Sequence, residues 1–307
     1  MEERYLKGSD GHRIFLRVWP VENPKATVHI NHGMAEHSAR YAQFAEYLNS
    51  FGYSVYAQDH RGHGYTKEED EKGWFAEHEG WRTVLDDAFF IDKLISQENP
   101  YIPHILFGHS MGSFISRCVL AEHSDAFSAA IFCGTGASQG LIGRIGQKIA
   151  RHNAKKNGRM PDKMMDNLAF SSFGKRFKGE GDYAWVTADK DERQKYIDDP
   201  LCGFVCSSSF YSDLIELSFR ANDKNLATGI KKDIPILLIS GTEDPVGGYG
   251  KGIERVRKLY LDSGIRKVEM KLFPNGRHEI LNEPEREEVM KTISDFIGKV
   301  IGEDDGR

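Results

Sequence analysis

Short apolar runs alternate with amphipathic segments along most of the chain, and this rhythm predicts the secondary structure. After a Ser-Asp-Gly turn, Ile14, Leu16 and Val18 alternate with Phe15, Arg17 and Trp19. This alternation is typical of a half-buried antiparallel strand, which we expect to pair with residues near Tyr5. Later apolar runs are continuous, as in strands that are buried on both faces. These runs are residues 27–30, 54–57, 105–107, 129–132 and 234–239, and a further strand is predicted at residues 268–273.

Segments with helical spacing separate these runs. Residues 41–48, 81–95 and 114–119 place apolar side chains three and four positions apart, as on one buried face of a helix. Ser38 is expected to cap the first helix, and the last helix is expected to begin at Asn282. Strands that alternate with helices predict an α/β fold with a mostly parallel central sheet and helices on both faces.

The alternation stops in the middle of the chain. Between about residues 137 and 227 the pattern indicates irregular helices without intervening strands. It resumes with a buried strand at residues 234–239. We therefore predict an α/β core formed by residues 1–136 and 228–307, interrupted by a helical cap at residues 137–227.

Composition narrows the class of protein. A chain of 307 residues with 39% hydrophobic residues can bury a large core. Its net charge of −5 argues against a nucleic-acid partner. The first residues are polar, without the apolar core of a secretory signal, and no apolar run is long enough for a membrane-spanning helix. Four cysteines are too few for a disulfide scaffold of this length, so we expect a cytoplasmic protein.

The candidate nucleophile is Ser110. The sequence Gly-His-Ser-Met-Gly at residues 108–112 follows an apolar strand and precedes a helical pattern. A serine in such a turn stands exposed at the mouth of the helix, while the two glycines leave room for the neighbouring strand and helix. This is the nucleophile elbow of serine hydrolases. His109 is expected to pack beneath the elbow rather than to act as a second base.

An acid and a base follow the serine in the order that this layout requires. Asp244 comes after the strand at residues 234–239, at the strand end where ligand chemistry takes place in open α/β sheets. Glu243 is a neighbouring alternative, although the shorter aspartate suits the tight loop better. His278 follows the next strand and is the only histidine after Asp244. The predicted triad is therefore Ser110, Asp244 and His278.

The oxyanion of a tetrahedral intermediate requires fixed N–H donors. We expect the backbone N–H groups of Met111, directly after the serine, and of Met34, in the His-Gly-Met-Ala loop after the first buried strand. No cofactor or metal is expected. The histidines at residues 59–64 fit a structural turn, and the Cys202/Cys206 pair lacks a second pair with zinc spacing.

Together these motifs resemble the monoacylglycerol lipase and lysophospholipase-like branch of the α/β hydrolases. The matching stretches are residues 32–41, 59–64, 108–112 and 278–283, and the cap stretch 199–204 is similar to a bacterial subgroup. Ala35 and Ser113 stand where members of this branch usually have glycine. The resemblance implies the α/β-hydrolase fold and hydrolysis of carboxylic esters of single-chain lipids, monoacylglycerol or lysophospholipid, through the predicted triad and without a cofactor.

Other functions stay open on the same scaffold. A short-chain carboxylesterase or an amide or peptide hydrolase would use the same three residues. Dehalogenases and epoxide hydrolases of this fold typically place aspartate at the nucleophile position, so Ser110 argues against them. A protein that only binds ligands would be expected to have lost a member of the triad.

The predicted cap is basic. Residues 138–180 contain ten lysine and arginine side chains and three acidic ones. Leu141, Ile142, Ile145 and Ile149 add an apolar stripe at helical spacing. A solvated helical face explains this composition. The alternative is a peripheral contact between the cap and an anionic membrane or a phosphate-bearing substrate.

Overall fold

The computed structural model describes residues 1–67 and 71–303, and its centre is an eight-stranded sheet. The strand order is β1-β2-β4-β3-β5-β6-β7-β8. The strands are β1 Glu2–Lys7, β2 Arg13–Trp19, β3 Ala26–Asn31, β4 Tyr53–Gln58, β5 His104–His109, β6 Ala129–Cys133, β7 Ile236–Gly241 and β8 Val268–Phe273.

The sheet is antiparallel at one edge and parallel elsewhere. β1 and β2 form the predicted hairpin, with Tyr5 opposite Phe15, and β2 pairs antiparallel with β4. Every pairing from β4 through β3, β5, β6 and β7 to β8 is parallel. The carboxyl ends of these parallel strands therefore meet at one rim, which is where the loops after β3, β5, β7 and β8 come together.

Helices cover both faces of the sheet, as the sequence predicts. α1 and α10 pack on one face around Phe44 and Ile293, while α2, α3 and α9 pack on the other around Leu85, Ile115 and Val256. The helices are α1 Ala42–Asn49, α2 Gly80–Glu98, α3 Met111–His123, α4 Gly140–Asn157, α5 Lys163–Phe170, α6 Lys190–Asp198, α7 Ser208–Ala221, α8 Lys224–Ala227, α9 Lys251–Asp262 and α10 Arg286–Ile301.

The segment between β6 and β7 is helical. It carries α4 to α8, and its described residues contain no strand beyond an isolated bridge between Pro161 and Ser207. Phe210 and Leu217 of α7 belong to the same apolar cluster as α3, so α7 anchors the insertion on the core. The division of the chain at residues 137 and 227 into core and cap stays a prediction.

Two predicted helix starts are wrong. Ser38 begins a short 3₁₀ turn, Ser38–Tyr41, and α1 starts only at Ala42. The Ser38 hydroxyl donates to the Asp59 carboxylate at 2.5 Å instead of capping the helix. α10 starts at Arg286, because Ile280–Asn282 forms a separate 3₁₀ turn. Tertiary hydrogen bonds and the extended backbone at Glu283 override the local capping signals in these places.

Within the described part of the chain, no helix has both the length and the apolar character that are needed to cross a bilayer.

Candidate active site

Ser110 occupies the sharp turn between the central strand β5 and α3. Its backbone has φ 51° and ψ −120°, a strained conformation for a residue with a side chain. The Ser110 N–H donates to Cys133 O at 3.0 Å, and Ser110 O accepts from the Ser113 N–H at 2.9 Å. Hydrogen bonds on both sides therefore hold the strained residue in place, as a nucleophile elbow requires.

Close packing explains the glycines around the elbow. A Cβ on Gly108 would lie 2.5 Å from Gly112 O, which no side chain tolerates. A Cβ on Gly33, in the loop after β3, would lie 3.2 Å from Ser110 Cβ. The loop expected to supply an oxyanion donor therefore runs directly against the serine.

Asp244 and His278 meet at the same rim from the loops after β7 and β8. His278 Nδ1 lies 3.0 Å from Asp244 Oδ1. The other carboxylate oxygen accepts from the Ser240 hydroxyl at 2.8 Å, and the Val246 N–H donates to Oδ1 at 2.9 Å. Asp244 is fully buried and His278 is 4% exposed. The pair can orient the imidazole and stabilise its cation.

The structure pairs His278 with Asp244 and not with the alternative carboxylate. Glu243 points outward and forms an ion pair with Arg176 at 2.7 Å. Among the described residues the Ser110 hydroxyl has no hydrogen-bond partner, so no bond to His278 is formed here. Such contacts often tighten only when substrate binds. The catalytic roles of Ser110, Asp244 and His278 stay a prediction.

Both expected oxyanion donors lie beside the serine. Met111 is the first residue of α3, a position whose N–H has no partner within the helix. Met34 follows Gly33 in the loop after β3, where Ala35 has φ 51°. Ala35 O accepts from the Gly203 N–H at 3.0 Å and from the Tyr196 hydroxyl at 3.2 Å, so the insertion holds this loop. Their role as oxyanion donors stays a prediction.

A buried charged cluster behind the elbow was not predicted. His109 Nδ1 lies 3.1 Å from Glu36 Oε1, and Arg40 donates to Glu36 Oε2 at 2.9 Å and to both oxygens of Glu279. Burial works against ionisation of Glu36, but the bond with His109 and the charge of Arg40 outweigh it and hold its pKa well below the ordinary value. The sequence shows that these charged residues lie in the matching stretches, but it gives no sign that they contact one another.

The insertion closes over the base. The Trp185 ring lies 5.3 Å from the His278 ring, and Trp185 O accepts from the His278 N–H at 3.3 Å. Arg277 forms an ion pair with Glu180 at 2.7 Å. A cavity of about 700 Å³ lies outside the oxyanion loop, beside His37, but none of the three triad candidates lines it. The inserted segment therefore covers the imidazole of His278, and this cavity is separate from the candidate triad.

Two clusters in the described residues each bring three potential metal ligands within 4.8 Å of one another, and Ser110 belongs to neither. In the first, His29 and His104 donate hydrogen bonds to Asp92 Oδ1 at 2.6 and 2.9 Å. The second cluster consists of His37, Asp199 and Cys202. Cys206 belongs to neither cluster and packs against Gly73.

A mostly parallel sheet with a serine elbow on a central strand and a buried carboxylate–imidazole pair beyond the outer strands defines an α/β hydrolase, as predicted. The sequence pattern of the family described as serine aminopeptidase, S33 matches residues 22–285, and the chain belongs to that family.

Relatives with known names cover nearly the whole chain. It is similar to the monoglyceride lipase of Rattus norvegicus, with 36% identity over 91% of this chain and 88% of that protein. The monoacylglycerol lipase of Mycolicibacterium smegmatis is 27% identical over 96% of each chain. A solved carboxyl esterase from Bacillus coagulans superimposes with a TM-score of 0.89 at 27% identity, covering 98% of both chains. The predicted resemblance to monoacylglycerol lipases is confirmed.

Proposed function

We propose that the protein is a serine hydrolase that cleaves carboxylic esters of single-chain lipids, monoacylglycerol or lysophospholipid, through Ser110, His278 and Asp244. The observation that carries this proposal is the 3.0 Å contact between His278 Nδ1 and Asp244 Oδ1 at the rim where the strained Ser110 stands. The names of the lipase relatives support the substrate class.

Each residue has a defined role in the proposed reaction. His278 Nε2 takes the hydroxyl proton while Ser110 Oγ attacks the ester carbonyl, and the resulting oxyanion accepts hydrogen bonds from the N–H groups of Met34 and Met111. His278 returns the proton to the departing alcohol as the carbon–oxygen bond breaks. Water then hydrolyses the acyl-enzyme with the same histidine as base, and Asp244 stabilises the imidazolium in both halves.

A short-chain carboxylesterase and an amide or peptide hydrolase remain the competing functions. The structural neighbour from Bacillus coagulans is a carboxyl esterase, and the family description names an aminopeptidase. An aminopeptidase needs an unpaired carboxylate for the substrate amine. Carboxylates around the His278 loop are already bonded: Glu36 and Glu279 with Arg40, Glu180 with Arg277, and Glu283 with the N–H groups of Arg277 and Ala188 and the Thr187 hydroxyl. This pairing favours ester hydrolysis.

A substrate panel tests the proposal. We expect kcat/KM for long-chain monoacylglycerol to exceed that for acetyl and butyryl esters by at least about tenfold, because each buried methylene adds binding energy. Lysophospholipid and an amino-acid anilide complete the panel. A preference for the short esters would replace the lipase assignment with a short-chain carboxylesterase, and faster anilide cleavage would replace it with an amide hydrolase.

We also propose that α4 brings the protein to anionic membrane surfaces. Leu141, Ile142 and Ile145 are 74%, 78% and 53% exposed, whereas Ile149 packs against the core cluster. Exposed lysines and arginines of the same helix surround these apolar side chains. Burial of apolar side chains together with attraction to anionic headgroups is the usual basis of peripheral binding.

Vesicle flotation distinguishes membrane contact from a merely solvated face. The native protein is expected to float with vesicles that contain phosphatidylserine, less so at high salt, and Ile142→Glu is expected to abolish flotation. Leu261→Glu, a matched change at a residue of α9 that is 41% exposed, should leave flotation unchanged. Flotation that is absent, or insensitive to both salt and Ile142→Glu, contradicts the membrane proposal.

The proposed location is the cytoplasm, with reversible attachment to a membrane. All four cysteines are free and buried, which suits a reducing compartment.

A further inference from the structure

His109 sits between two acceptors. Its Nδ1 lies 3.1 Å from Glu36 Oε1, and its Nε2 lies 3.4 Å from the main-chain oxygen of His278. A carbonyl oxygen only accepts hydrogen bonds, and so does an ionised carboxylate. Each ring nitrogen of His109 must therefore carry a proton for both contacts to be favourable, which makes the ring an imidazolium cation.

Glu36 is ionised, because donors surround it. The Gly33 N–H donates to Oε1 at 2.5 Å and the Tyr41 hydroxyl donates to the same oxygen at 2.9 Å. Arg40 donates to Oε2 at 2.9 Å. The Gly33 N–H and the Arg40 guanidinium cannot accept a proton, and the Tyr41 hydroxyl donates to Oε1, so His109 donates to Glu36 rather than accepting from it.

Charge balance leads to the same state. Arg40 binds the carboxylate of Glu279 with both of its terminal nitrogens and also pairs with Glu36. One guanidinium between two buried carboxylates leaves one negative charge uncompensated. A protonated His109 neutralises the cluster, whereas a neutral ring would leave a buried net charge, which is costly.

We propose that His109 is a protonated positioning residue, which joins the nucleophile elbow to the oxyanion loop and to the loop of the base. This inference rests on the proposed function. Through Glu36 the cation is tied to Gly33, which precedes the proposed donor Met34, and through Nε2 it is tied to the backbone of His278. One side chain thereby sets the relative position of the three loops on which the reaction depends.

The ring of His109 also packs against the ring of the base. The two ring centroids lie 4.8 Å apart. The other contact of the His278 ring is the bond from Nδ1 to Asp244. His109 therefore helps to fix the position of the imidazole as well as that of its backbone.

The electrostatic surroundings support the charged state of His109. Burial by itself lowers the pKa of this imidazole, but the hydrogen bond and the charge of Glu36 outweigh burial and raise the pKa above its ordinary value. Glu279 raises it further. With a raised pKa in the folded protein, the stabilisation is present below the ordinary histidine value and is lost as the pH rises through the raised value.

Nitrogen-15 NMR of the imidazole rings in the native protein tests the charge directly. Both ring nitrogens of His109, assigned by loss of its signals in His109→Gln, are expected to be protonated at pH 7. A neutral tautomer of His109 at pH 7 would overturn the proposal. The measurement requires neither substrate nor catalytic activity.

Kinetics of His109→Gln test the positioning role, since glutamine fills the site without charge and cannot donate to both acceptors. We expect kcat to fall by roughly tenfold to a hundredfold with KM nearly unchanged. Glu36→Gln should give the same losses, and the double variant less than their product.

Matched controls separate these effects from a general loss of structure. His123→Gln removes an imidazole that stacks on Phe89 away from the site, and it should change neither kcat nor KM. An unchanged kcat in His109→Gln would contradict the positioning role. Labelling of native Ser110 by a fluorophosphonate reports on the proposed function separately: its absence would refute the triad, whereas the NMR result concerns His109 alone.

Discussion

Two of the carboxylate–histidine groups, one at the rim of the sheet and one deeper, are nearly equal in hydrogen-bond geometry. At the rim, His278 Nδ1 lies 3.0 Å from Asp244. Deeper in the fold, His29 and His104 lie 2.6 and 2.9 Å from Asp92. All five side chains are at least nine-tenths buried. Distance and burial alone therefore do not distinguish a catalytic pair from a structural one.

Topology separates the two groups. Asp244 and His278 follow the carboxyl ends of β7 and β8, beside the Ser110 elbow. The remaining ring nitrogens of His29 and His104 face Gln58 and Thr27 of the sheet itself, at 2.5 and 2.9 Å. The rim group keeps one imidazole nitrogen free for substrate chemistry, whereas the deep group uses every ring nitrogen for internal bonds.

Asp244→Asn is expected to have the largest effect. Removing the charge from this position should lower kcat by about 10⁴-fold, because the imidazole loses its orientation and its cation loses its counter-charge. The measurement is steady-state kinetics on a chromogenic ester, with the thermal unfolding midpoint recorded in parallel.

Glu243→Gln is the matched control for that change. It removes the neighbouring carboxylate, whose partner is Arg176 and not His278. Activity within about threefold of native is expected for an exposed ion pair. A loss in Glu243→Gln comparable to that in Asp244→Asn would contradict the assignment of the acid.

Asp92→Asn should lower stability and leave activity nearly unchanged, in contrast to Asp244→Asn. Breaking a buried pair typically costs about 3–5 kcal/mol, so we expect a loss of this order in the free energy of unfolding, with kcat of the folded fraction nearly native. Burial opposes ionisation, but the two histidines lower the pKa of Asp92 below its ordinary value. Its stabilisation should therefore fade as the pH drops, and denaturant titrations at pH 7 and pH 4 measure that dependence. A large loss of kcat would mean that the deep group also serves catalysis.

Asp213→Asn should slightly raise stability at pH 8, whereas Asp92→Asn lowers it. Burial of this carboxyl against the start of α2 raises its pKa to about 7. A raised folded-state pKa means that native stability falls as the pH rises from about 4 to 7. Asparagine carries no such charge, so the variant should melt about 2–4 °C higher than the native protein at pH 8 and equally at pH 4. Equal melting at pH 8 would contradict the raised pKa.

The sheet and the rim loops could be predicted because their signals are local. Continuous apolar runs mark the parallel strands, and the order Ser110, Asp244, His278 along the chain places each group after a strand. The antiparallel start was also predictable, since residues 14–19 follow a turn signal. Periodicity and turn chemistry specify such elements without knowledge of tertiary contacts.

The remaining features depend on contacts distant in sequence. Ser38 carries a good capping side chain, but Asp59, 21 residues away, takes its hydroxyl. The Glu36–His109 contact joins residues 73 positions apart, and no spacing rule brings them together. The sequence does not show which residues of the apolar stripe from Leu141 to Ile149 are buried. Only the packing of α4 on α7 shows that Ile142 is exposed while Ile149 is not.

Mass-spectrometric mapping of a fluorophosphonate adduct tests the central claim most directly. The account predicts a single adduct on the peptide that contains Ser110, complete loss of labelling in Ser110→Ala, and retained labelling in Ser113→Ala, whose hydroxyl only donates to the Ser110 carbonyl. An adduct on another residue, or labelling that persists in Ser110→Ala, would contradict the account.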